Sequence, residues 1–88
     1  MVVKVYVPSL FRALCGERSL IEVPAGTFDQ VLRAVDDECS GFRDRLLENG
    51  ELRPELAVAI DGEMVPLALH EPISDGSELA VVPAIGGG

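Results

Sequence analysis

Val3, Val5 and Val7 alternate with Val2, Lys4 and Tyr6 at the start of the chain, the period of two that a strand shows when one face turns inward. Pro8 closes the pattern, because it has no N–H to give to a ladder. Leu10, Phe11 and Leu14 then recur at helical spacing within Ser9–Cys15, a short helical turn stopped by Gly16. Alternation returns over residues 19–23, with Ile21 and Val23 inward and Pro24-Ala25-Gly26 as the closing turn. An antiparallel pair of these two strands fits, although the connection is too long for a tight turn.

A helix is predicted from Phe28 to about Cys39. Thr27 is a natural N-cap and Gln30, three residues on, completes a capping-box pattern. Asp29 in the first turn suits the positive end of the helix dipole. Phe28, Val31, Leu32, Val35 and Cys39 fall on one apolar stripe. Asp36, Asp37 and Glu38 lie at the unfavourable end and read as a solvated acidic face, or as a docking point for a basic partner. Residues 41–48 read as a second, shorter helical segment ending at Asn49-Gly50.

Leu56–Ile60 alternates again, and Asp61-Gly62 is a two-residue hairpin signal before Glu63–Val65. Asp75-Gly76 is another turn, and residues 78–82 make a last strand with Leu79 and Val81 on one face, Ala80 and Val82 on the other. The order predicts an α+β roll: a mixed sheet of four to five strands with one main helix across it, the β-grasp architecture. Residues 1–85 are expected to form this domain and residues 86–88 a flexible tail.

Composition narrows the function. The chain has 88 residues, 48% hydrophobic and 25% charged, the make-up of one small globular domain. Fifteen acidic residues against seven Lys and Arg give a formal net charge of -8, which repels nucleic-acid phosphates and anionic membranes and favours a basic partner surface. No window approaches the ~20 apolar residues of a membrane span. No basic segment followed by an apolar run precedes the first alternating pattern, so a cytoplasmic location is expected. Cys15 and Cys39 have no second pair, so they read as small buried apolar residues rather than a disulfide framework or zinc site, with a persulfide-carrying role as the alternative.

Catalytic signals are few. The single histidine, His70, stands beside Glu71-Pro72 and reads as an exposed loop residue, with no nucleophile or orienting carboxylate placed near it. No clustered ligands indicate a metal, and no glycine-rich loop precedes a helix. The informative feature is Gly86-Gly87-Gly88 after Pro83-Ala84-Ile85. One reading is a frayed end or a cloning remnant. The other is functional: consecutive glycines lack Cβ atoms and can pass through a channel too narrow for other residues. A partner could thread such a tail and use the Gly88 carboxylate. Activated by ATP to an acyl adenylate, that carboxylate would give a thiocarboxylate with a persulfide, or a thioester with a thiol.

The β-grasp pattern, the Asp75-Gly76-Ser77-Glu78 turn into the last strand, and Val82-Pro83-Ala84-Ile85-Gly86-Gly87-Gly88 resemble the MoaD/ThiS-type ubiquitin-like sulfur carriers. Asp61-Gly62-Glu63 fits where that family often has Asn-Gly-Glu, while Gly86 replaces a more usual Ala or Thr. The resemblance implies a protein co-substrate rather than an enzyme. A ubiquitin-activating-type adenylyltransferase would use ATP to adenylate Gly88, and a sulfurtransferase or desulfurase would supply the sulfur. The resulting thiocarboxylate would serve molybdopterin biosynthesis with a synthase large subunit, or cysteine biosynthesis with a cysteine synthase. No cofactor is bound by the carrier itself. Gly86 and Gly87 would form the thin neck, and Pro8, Met64 and Val82 match the apolar patch through which family members dock. Pro8 with Leu10-Phe11-Arg12, and Ser40-Gly41-Phe42, resemble the cysteine-pathway type. Two other readings remain: a ubiquitin-like modifier joined to target lysines through Gly88, and a non-catalytic acidic adaptor.

Overall fold

The computed structural model describes residues 2–65 and 68–83. Strand β1 (Val2–Tyr6) pairs antiparallel with β2 (Leu20–Pro24), and a 3₁₀-helix, Ser9–Cys15, lies between them. A short β3 (Gly26–Thr27) leads into α1 (Phe28–Glu38), followed by α2 (Phe42–Leu46), β4 (Leu47–Glu48), β5 (Glu51–Leu52), β6 (Leu56–Ile60), β7 (Glu63–Val65), β8 (Pro72–Ile73) and β9 (Glu78–Pro83). Five strands form one mixed sheet in the order β2-β1-β9-β6-β7. The central pair, β1 and β9, is parallel and the other neighbours are antiparallel. This is the expected β-grasp roll.

The inward positions read from alternation are the ones that bury. Val3, Val5, Val7, Ile21, Val23, Leu79 and Val81 meet the α1 stripe of Phe28, Val31, Leu32, Val35 and Cys39 in one core. Helix α1 starts as predicted, with the Thr27 hydroxyl accepting from the Gln30 N–H and the Gln30 side chain accepting from the Thr27 N–H. Phe42 adds to the core and meets the Phe11 ring edge-on, the centroids 6.0 Å apart.

Two expectations change. The second helical segment stops at Leu46, because Asn49 and Gly50 take positive φ values (56° and 80°) and fold residues 47–52 into a small β4–β5 hairpin. Asp61 and Gly62 (51° and 88°) make the same kind of turn between β6 and β7, both central residues at the positive φ a type I′ turn requires. Asp36 is also more than a wet acidic residue: its carboxylate accepts from the N–H groups of Gly41 and Arg43, each at 3.1 Å, and so caps the start of α2. Pairing of β3 with β8 was not foreseen from two-residue patterns.

Asp29 ties the two helices together. Its carboxylate accepts from Arg33 one turn on, at 2.9 Å, and from Arg43 of α2 at 2.6 Å. The Arg33 hydrogen bond, then that of Arg43, holds its carboxyl below the ordinary value of 3.8. A carboxyl lowered in the folded state stabilises above its unfolded value and loses that contribution as pH falls through the folded one. Asp29→Asn should therefore lower the melting temperature by about 4 °C at neutral pH. In thermal melts across pH the gap to wild type should close below the ordinary carboxyl value; a gap independent of pH would show that the ion pairs are not its source.

Candidate functional site

Strand register arranges the solvent face of the sheet into rungs. Leu20 stands opposite Tyr6, Tyr6 beside Ala80, Ala80 opposite Ala59, and Ala59 opposite Met64. One apolar rung thus crosses all five strands. Towards the end of β9, Val82 stands opposite Ala57, and Pro8 follows two residues after Tyr6, whose partner on β9 is Ala80. In the other direction lies a charged rung, Glu22 opposite Lys4 and Lys4 beside Glu78. Glu78 is locked to the Asp61 turn, donating its N–H to the Asp61 carboxylate at 2.9 Å and accepting from the Asp61 N–H at 2.8 Å.

The three apolar residues predicted as a docking patch share this face. Met64 is 60% exposed, and Pro8 and Val82 are half-buried. Tyr6, Leu20, Ala57, Ala59 and Ala80 belong with them. Alternation marked Tyr6, Leu20 and Ala80 as the non-core partners in their strands, but the register that joins the rung across five strands cannot be read from any one strand. The last described residue, Pro83, stands opposite Leu56. Gly86, Gly87 and Gly88 lie outside the described residues.

Elsewhere the described residues offer little for catalysis. His70 is exposed, as expected. An open groove of about 730 Å³ runs between β6 and the loop that carries His70, with mainly apolar walls that include Phe28, Leu52, Leu56 and Val58. No group of three or more His, Cys, Asp and Glu side chains suited to a metal ion occurs among the described residues.

The cysteines require a correction. Both are buried, as expected, but they are not independent apolar residues: Cys15 and Cys39, 24 positions apart, are joined as a disulfide with Cα atoms 4.5 Å apart. Separation along the chain hid a contact that the roll creates by bringing the end of the 3₁₀-helix onto the C-cap of α1. A disulfide sulfur has no thiol to load, so this form leaves no persulfide site.

The ThiS family model matches residues 5–88. The chain belongs to the ThiS family. Small archaeal modifier protein 3 of Haloferax volcanii is 34% identical over 83 residues, 89% of each chain. Among solved structures, a chain of the Amycolatopsis orientalis BexX/CysO complex superposes with a TM-score of 0.86 at 26% identity, covering 98% of this chain and 99% of that one. SAMP1 of Haloferax volcanii gives 0.75 at 25% identity, with full coverage of both chains. This ThiS-family chain is accordingly a ubiquitin-like sulfur carrier or modifier, a protein co-substrate that partner proteins act upon. Among the described residues no helix is long and apolar enough to cross a membrane.

Proposed function

We propose that this chain carries sulfur as a thiocarboxylate on Gly88, and that its apolar rung docks the protein that activates it. The carrying observation is that the family match runs through residue 88, tail glycines included, on a fold whose apolar face borders the strand leading to them. An adenylyltransferase partner supplies ATP. The Gly88 carboxylate attacks the α-phosphorus and expels pyrophosphate, leaving an acyl adenylate. A persulfide on a sulfurtransferase or desulfurase then attacks the acyl carbon and expels AMP, and a thiol cleaves the resulting acyl disulfide to free the thiocarboxylate. Gly86 and Gly87 provide a neck without side chains. Cytoplasmic location suits both ATP and these partners, and the thiocarboxylate then donates its sulfur in molybdopterin biosynthesis with a synthase large subunit, or in cysteine biosynthesis with a cysteine synthase. The test is the intact mass before and after incubation with ATP, activating enzyme and sulfur donor. Exchange of one oxygen for sulfur, localised to Gly88, supports the reading, and an unchanged mass with no trapped adenylate defeats it.

The relationship to a small archaeal modifier protein favours a second use of the same activated end, conjugation to lysine amines. Among the seven Lys and Arg residues only Lys4 is a lysine, and it lies half-buried in the charged rung between Glu22 and Glu78. Arginine does not acylate under these conditions, since its guanidinium stays protonated. Any lysine-linked chain of this protein with itself must therefore run through Lys4. Lys4→Arg should remove self-adducts from reducing gels while leaving adducts to other proteins; self-adducts that persist in the variant would refute this.

A further inference from the structure

We propose that Cys15 and Cys39 form a redox latch, closed by oxidation, that fixes the connection between β1 and β2 against the end of α1. The two Cα atoms stand 4.5 Å apart, within the range that a disulfide spans without moving the backbone. Cys15 is the last residue of the 3₁₀-helix and Cys39 is the C-cap of α1. The connection they anchor lies outside the sheet ladder. Its other ties are the burial of Phe11, 5% exposed in the core and edge-on to Phe42, the partly buried Leu14, the Arg12 Nε hydrogen bond to the Val7 carbonyl at 3.2 Å, and the Arg18 pair with Glu38, whose side chains are 48% and 44% exposed. Exposed pairs of that kind contribute little. The covalent bond adds to the Phe11 anchor and ties the far end of the segment, at Cys15, to α1.

Both redox forms can fold, because two thiols are small and apolar enough to remain where the disulfide sits. The change is balanced by a low-molecular-weight disulfide such as oxidised glutathione. One cysteine thiolate attacks it and releases a glutathione thiol, and the second cysteine attacks the mixed disulfide and releases another. Two electrons leave the protein, and the two cysteine protons end on the two glutathione thiols. Both cysteines are 1% exposed or less, so exchange requires the 3₁₀-helix to lift, and its rate reads that local opening. In a reducing compartment the latch stands open, and it closes under oxidation.

The consequence reaches an exposed apolar side chain. The latched connection begins at Pro8 and carries Leu10, which is 76% exposed and the most exposed large apolar side chain among the described residues. Latching holds this segment, Leu10 included, in one position against the end of α1. This inference does not depend on the chemistry of Gly88.

The experiment equilibrates the full-length protein, and a C15A/C39A variant, with oxidised or reduced glutathione. Thiols are counted by alkylation and intact mass, melting temperature is measured, and backbone hydrogen exchange is followed over residues 9–18. Oxidised wild type should show no alkylatable thiol and melt roughly 10–20 °C above the reduced form. Amides of residues 9–18 should exchange on the order of tenfold faster after reduction. C15A/C39A should match reduced wild type and ignore glutathione. Two thiols still open to alkylation after oxidised glutathione would overturn the latch. So would a bond that forms without changing melting temperature or exchange.

Discussion

Removing Gly88 should abolish thiocarboxylate formation and leave the fold untouched. The last buried core residue before the tail is Val81, held between β1 and β6 through the β9 ladder, and the core contains nothing beyond it among the described residues. A variant ending at Gly87 therefore keeps every strand pair, and its melting temperature should lie within about 1 °C of wild type, as for surface changes generally. The chemistry fares differently. Shortening an extended chain by one residue withdraws its carboxylate by roughly 3.5 Å, and a misplacement of about 1 Å can already cost a hundredfold in a positioned reaction. Loading with ATP, activating enzyme and sulfur donor, followed by intact mass, should show a loss of at least about a hundredfold. Loading of the shortened chain at the wild-type rate would mean that Gly88 is not the reacting residue.

The fold was legible wherever a single element carries its own signal. Alternation over residues 2–7, 19–23 and 78–82 marked the inward faces, and Thr27 with Gln30 marked the start of α1. Illegible features are either too short to show a period or depend on separate segments meeting. Asn49-Gly50 looked like the end of a helix because the β4–β5 ladder has only two residue pairs, too short for a period to show. Asp36 looked solvated because the N–H groups it caps belong to the next helix. Cys15 and Cys39 looked unrelated because, 24 positions apart, they meet only through the fold. The apolar sheet face falls between these cases: Pro8, Met64 and Val82 were named from a family resemblance, while the rung of Leu20, Tyr6, Ala80, Ala59 and Met64 emerges only from register.

Met64→Glu should weaken binding of the activating enzyme by roughly 10- to 100-fold, the cost of placing an unpaired carboxylate in an apolar contact. Met64 suits the test because it sits on the edge strand β7 and is 60% exposed, so its replacement leaves the core and the sheet ladder alone and should move the melting temperature little. Met64→Leu, which keeps the apolar surface, should bind within about threefold of wild type. Isothermal titration of each variant with the activating enzyme checks this. The charged rung gives the contrast. Reversing Glu22, which neighbours Lys4 across β1 and β2, should act mainly through the field of a chain with net charge -8; its effect should shrink as salt screens it, whereas the Met64→Glu loss should persist. If Met64→Glu binds like wild type while affinity falls steeply with salt, docking runs through the acidic surface around Asp37 and Glu38 instead, and the apolar rung has another occupant.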